Sequence, residues 1–214
     1  MTDESFRNPT PPEESGQAIV QRAKDILLKP KETWAIIDGE AATVQSLYVP
    51  YVLVLAAIGP LAGLIGGQLF GYRFLNVTYH PPLAGALVSA VLSYAMTLAA
   101  VYIVALVIDA LAPTFDGQQS RIQALKIAVY SATAGWVAGI FNLIPGLFLL
   151  AMLAGLYSLY LLYLGLPRLM KTPQDKAIVY TAVVVVVTIV CIFAISAIVG
   201  LLAVQGNPAF GGSL

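Results

Sequence analysis

From Gly16 to Gly39 apolar and polar residues alternate at helical spacing, and beyond Gly39 the chain passes into long apolar runs broken by short polar intervals. In the first part Ile19, Ala23, Ile26 and Leu27 recur along one side of a helix, with Gln21, Arg22, Lys24, Asp25 and Lys29 around the rest. Pro30 ends this helix and opens a second, whose Trp34 and Ile37 give it an apolar side. Residues 16–40 are too short and too charged to cross a bilayer, so the pattern predicts amphipathic interfacial helices. They lie in the headgroups with basic side chains toward anionic lipid, or they cap a helix bundle from below, and the two placements are compatible. Residues 1–15 are acidic and proline-rich with no apolar stretch, which predicts a disordered tail and not a signal peptide.

Residues 41–204 read as an all-α bundle of five transmembrane helices, at about 47–67, 83–108, 122–142, 147–166 and 178–204, before a flexible tail, 205–214. Each run is long enough for roughly 30 Å of hydrocarbon at about 1.5 Å per residue. Pro60 predicts a kink in the first, and Gly59, Gly63 and Gly67 form a ridge of small residues suited to close helix packing. Gly135 and Gly139 repeat that spacing in the third span, beside Trp136. The N-L-I-P-G sequence is so short that spans three and four must form an antiparallel hairpin. Between spans one and two lies an aromatic-rich loop. Its His80 has no cysteine or carboxylate at ligand spacing and reads as a surface residue, and its Asn76-Val77-Thr78 matches a glycosylation acceptor only as a short pattern. Cys191, the single cysteine, sits among β-branched residues as a small packing group.

Composition strengthens this picture. Only 10% of the chain is charged and 59% is hydrophobic, against about 25% charged in ordinary soluble domains. With a formal net charge of zero and no basic tract, nucleic acid is excluded as a partner. If the N-terminus is cytoplasmic, that side receives ten of the eleven Lys and Arg residues and the other keeps only Arg73. This positive-inside bias places the N-terminus in the cytoplasm, and an odd number of spans places the C-terminus opposite.

No H-E-x-x-H, G-x-S-x-G, P-loop or His/Cys cluster occurs, so no enzyme, metal or cofactor is expected. What remains is a boundary cluster. Asp109 closes the second span and Lys126 lies one turn inside the third, where an ion pair would lessen the cost of each charge. A positional role, or a lysine reaching up to the headgroups, is the plainer alternative. Tyr130 and Asn142 complete a candidate polar cluster, and Asp116, Arg168, Lys171 and Lys176 form a candidate cytoplasmic contact face.

Three strings are diagnostic together: A-P-T-F-D-G-Q-Q-S-R-I-Q-A-L-K-I-A-V-Y-S-A-T-A-G-W, then N-L-I-P-G, then L-Y-S-L-Y-L-L-Y-L-G-L-P-R-L-M-K-T-P-Q-D-K-A. With the earlier L-L-K-P-K-E-T-W, they resemble the bacterial branch of the Yip1 domain family, although Ala134 stands where the Y-S-x-T-P-x-W form has proline. The resemblance implies a five-span membrane protein with a cytoplasmic N-terminus, and a bacterial inner membrane as its expected location. Eukaryotic members bind Rab-type GTPases through cytoplasmic parts, for which this N-terminal region has little room. The expected function is a non-enzymatic protein that organises membrane components or lipids through its cytoplasmic face. Membrane lipids, a membrane-protein partner or a second copy are the expected partners. The alternative is a small-solute or ion transporter or channel working as a homo-oligomer, its path lined by Asp109, Lys126, Tyr130 and Asn142.

Overall fold

A computed structural model describes residues 12–74 and 77–205; the expected C-terminal tail, most of the N-terminal tail and Asn76 lie outside them. Helix α1 runs Pro12–Leu28 and α2 Pro30–Gly39, with Pro30 in the first turn of α2 as its missing N–H allows. Helix α3 spans Val44–Phe70. It opens on a capping box in which Thr43 and Ser46 exchange side-chain and backbone hydrogen bonds. A wide turn at Tyr48–Val52 accommodates Pro50, which has no N–H to return to the preceding turn. A second irregularity falls at Ala57, just ahead of Pro60. The aromatic loop that follows is a small hairpin, β1 Tyr72–Phe74 against β2 Val77–Tyr79, antiparallel with Phe74 opposite Val77.

Helix α4 spans Leu83–Leu111 and tightens into a 3-10 turn at Ala112–Phe115. Helix α5, Arg121–Ala138, is capped by Ser120, whose hydroxyl accepts from the Gln123 N–H. The N-L-I-P-G stretch continues α5 as 3-10 turns, Gly139–Leu143 and Pro145–Leu147, that lead straight into α6, Phe148–Leu169. Helix α7 runs Gln174–Gln205.

Among the described residues, four stretches are long and apolar enough to cross a membrane: Val44–Phe70, Leu83–Phe115, Arg121–Leu143 and Leu149–Leu169. The expected five-span bundle is thereby corrected, because 178–204 is not among them. Helix α7 opens on the polar residues Gln174, Asp175 and Lys176. Its buried residues, Ala177, Tyr180 and Val184, serve packing against α4 and α6. With the fifth span goes the odd count that placed the C-terminus opposite the N-terminus.

Helix α5 is the hub. In its most apolar window 72% is buried inside the bundle, against 22–33% for the other three spans. Small residues let α3 and α4 close on it. A methyl on Gly139 would lie 2.8 Å from the Gly59 Cα, and one on Gly66 would lie 2.6 Å from the Asn142 carbonyl oxygen. Gly63 meets the Asn142 side chain more loosely, and Gly67 is buried. On the other side, Gly135 N–H donates to Ser158 Oγ of α6 at 3.2 Å.

Candidate functional site

Helices α1 and α2 form a strap across one end of the bundle, seated by Ala23, Ile26, Trp34 and Ile37, all buried. Trp34 lies against Gly165 of α6, where a methyl would come within 2.9 Å of its ring. It meets Tyr130 edge-on at 6.3 Å, and Tyr130 meets Tyr51 at 5.1 Å. Tyr51 in turn shares a hydrogen bond with Thr133 at 2.9 Å.

The ends of both strap helices are bonded by the bundle. Helix C-termini leave carbonyls without partners and carry partial negative charge. Tyr157 donates its hydroxyl to the Leu27 carbonyl at 2.6 Å, near the end of α1. Lys126 donates to the Ile37 carbonyl at 2.8 Å and the Glu40 carbonyl at 2.5 Å, at the end of α2. Only 2% of Lys126 is exposed, so these two oxygens stand in for its hydration. Around it runs a charge network. Arg22 pairs with Glu40 at 2.5 Å, Lys171 pairs with Asp38 at 2.5 Å, and Gln123 donates to the Asp38 side chain at 3.3 Å.

The sequence-derived polar cluster is therefore divided. Asp109 faces Arg121, its Oδ2 3.9 Å from Nε, while its Oδ1 is buried with no donor among the described residues. Lys126 turns to the strap and Tyr130 to the aromatic cluster. Asn142 lies sixteen residues along from Lys126, about 24 Å at helical rise. There it lines a cleft of about 700 Å³ with Pro60, Gly63, Ser89, Ser93 and Thr97, between α3, α4 and α5.

The candidate contact face, by contrast, gathers at one end. The loop after α4 docks on the loop after α6. Gln118 N–H donates to the Met170 carbonyl at 2.7 Å, and a methyl on Gly117 would lie 3.0 Å from that same oxygen. Phe115 stacks on Tyr180 at 4.6 Å, and the Tyr180 hydroxyl donates to the Ile108 carbonyl at 2.5 Å. Asp116 and Lys171 both take left-handed backbone. Asp116 pairs with Lys176 across the two loops, and Lys171 turns back onto the Arg168 carbonyl at 2.8 Å as well as Asp38. Arg168 is exposed and borders a second cleft, about 570 Å³, between α2 and α6. His80 is exposed at the far end of α3 and α4, beside the hairpin.

Sequence reasoning missed the capping of the strap by Lys126 and Tyr157. One signal was available: Lys126 has no acidic residue three or four positions away on its own helix, so its partner had to come from another element.

A bundle of apolar helices whose charged loops and amphipathic strap meet at one end is an integral membrane protein. The chain belongs to the Yip1 domain family, which it matches over residues 24–195. It is similar to the inner membrane protein YohC of Escherichia coli K12 and of Escherichia coli O6:H1 strain CFT073. The identity to each is 26% over 161 residues, covering 72% of this chain and 80% of the relative. No solved structure matches. Among the described residues no three His, Cys, Asp or Glu side chains are grouped to hold a metal. Family membership and the lack of catalytic motifs are consistent with a non-enzymatic protein.

Proposed function

We propose that this protein organises lipids or other membrane components in a bacterial inner membrane, through the end of the bundle that carries the strap. The observation that carries the reading is the concentration of structure and charge there: Arg22, Asp38, Glu40, Lys126 and Lys171 join three separate segments. That end is read as cytoplasmic from the positive-inside bias, since the strap and the loops after α4 and α6 hold nine of the chain's eleven Lys and Arg residues in or beside them. The inner-membrane relatives support the location. Transport takes second place. Its observation is the 700 Å³ cleft, but Asn142 alone of the expected path residues lines it.

The test is affinity purification from detergent-solubilised membranes with Asp116, Arg168 and Lys171 replaced one at a time. A co-purifying lipid or membrane protein should be retained by the parent chain and depleted by at least one replacement. Retention indifferent to all three would remove the support for this reading.

A further inference from the structure

The cleft between α2 and α6 has the chemistry of an anionic lipid site. Lys31, Trp34, Tyr160, Tyr163, Arg168 and Thr172 are among its walls, and among the described residues no acidic side chain lines it. Asp38, Glu40 and Asp116 are paired with Lys171, Arg22 and Lys176, whereas Glu32 and Asp175, next in sequence to the wall residues Lys31 and Gln174, pair with no cation among the described residues. Neither Lys31 nor Arg168 has a carboxylate partner among the described residues. Trp34, also in the wall, is 1% exposed, and its indole N–H has no acceptor among the described residues. An unmet buried donor is costly and marks a place where an acceptor is wanted.

The cleft also sits at the right depth. Leu156, Tyr160, Leu164 and Arg168 recur at four-residue spacing, so they form one row along α6. Leu156 and Tyr160 are exposed, 58% and 41%, and the row ends on Arg168 in the last turn of a membrane span. Tyr160 and Arg168 are about 12 Å apart along the axis, the distance from the upper acyl region to the headgroups. An apolar strip leading into a cationic pocket at a membrane boundary matches an acyl chain joined to a phosphate. We propose that this cleft binds the headgroup of an anionic glycerophospholipid. Its phosphate lies between Lys31 and Arg168, and one chain lies along Leu164, Tyr160 and Leu156. The proposal rests on the reading that the protein engages lipids through this end.

The test is native mass spectrometry of the full chain in neutral detergent, titrated separately with phosphatidylglycerol and phosphatidylcholine. Phosphatidylglycerol should bind about tenfold more tightly, and the double variant Lys31→Gln, Arg168→Gln should lose about tenfold, the equivalent of one charge-assisted contact. Lys31→Arg with Arg168→Lys should restore binding, which separates charge from folding. Trp34→Phe, which keeps an aromatic ring but removes the N–H together with part of the indole's volume, should weaken binding a few-fold. Equal binding of the two lipids, or an unchanged double variant, would overturn the site. So would displacement of phosphatidylglycerol by an equal concentration of inorganic phosphate, which would make a soluble anion the ligand. If lipid is lost on replacing Asp116 or Lys171 while the cleft double variant retains it, this site fails and the wider functional reading stands.

Discussion

Replacing Lys126 with methionine should release the strap while leaving the bundle intact. Methionine keeps an unbranched stem of similar size and removes only the ammonium that bonds the Ile37 and Glu40 carbonyls. Asp38 and Glu40 are not stranded, because Lys171 and Arg22 still pair with them. The loss is therefore confined to two carbonyl acceptors. Side-chain hydrogen bonds in membrane proteins average about 0.6 kcal/mol, whereas a fully buried unmet acceptor costs about 1–3 kcal/mol. The Ile37 carbonyl contact is buried and that to Glu40 part-buried, so the net cost should be about 2 kcal/mol after relief of ammonium desolvation. That is about a thirtyfold rise in the opening equilibrium of the strap. Hydrogen exchange in detergent measures it directly: amides of α2 should exchange about thirtyfold faster while those of α4 and α6 keep their rates. Adding Asp109→Asn should not alter this, since Asp109 faces Arg121. A change in α2 below about twofold would refute the reasoning, as would coupling between the two substitutions above about 0.5 kcal/mol.

Two further predictions test the packing. Gly139→Ala would set a methyl 2.8 Å from the Gly59 Cα, which backbone alone can relieve. It should cost about 1–3 kcal/mol, read as a lower midpoint in thermal unfolding in detergent, while Gly85→Ala, with nothing within 4 Å, should be silent. Gly165→Ala would bring a methyl within 2.9 Å of the Trp34 ring and should displace it from its seat. In a Trp136→Phe background the remaining indole emission should shift to the red, and an unshifted spectrum would contradict the observed contact.

The sequence by itself determined that apolar helices cross a membrane here, roughly where four of them start and stop, and which end is charged. Those are properties of single segments: the cost of burying backbone and charge in hydrocarbon depends on local composition and length. It also carried the family, through the strings at 112–136 and 156–177. The ridges Gly59/Gly63 and Gly135/Gly139 were legible as small faces, but not the fact that Gly59 closes on Gly139 in the 3-10 turn after α5 while Gly135 faces Ser158 of α6. The fifth span shows where composition misleads. An apolar run over 178–204 looked like another crossing, yet it is not among the four stretches that qualify among the described residues, and α7 opens on polar residues and docks Ala177 and Tyr180 against its neighbours.

Tertiary structure alone decided the pairings. Of the four spans α5 is the least apolar and the most buried. In lipid, packing and interhelical hydrogen bonds, more than hydrophobicity, determine which helix is central. Asp109 and Lys126 looked like partners because a short loop joins their helices. The structure turns Asp109 toward Arg121 and sends Lys126 to carbonyls in the strap. No sequence pattern marks those acceptors, because every residue has a carbonyl, and only the seating of α2 on the bundle leaves these two in need of a donor.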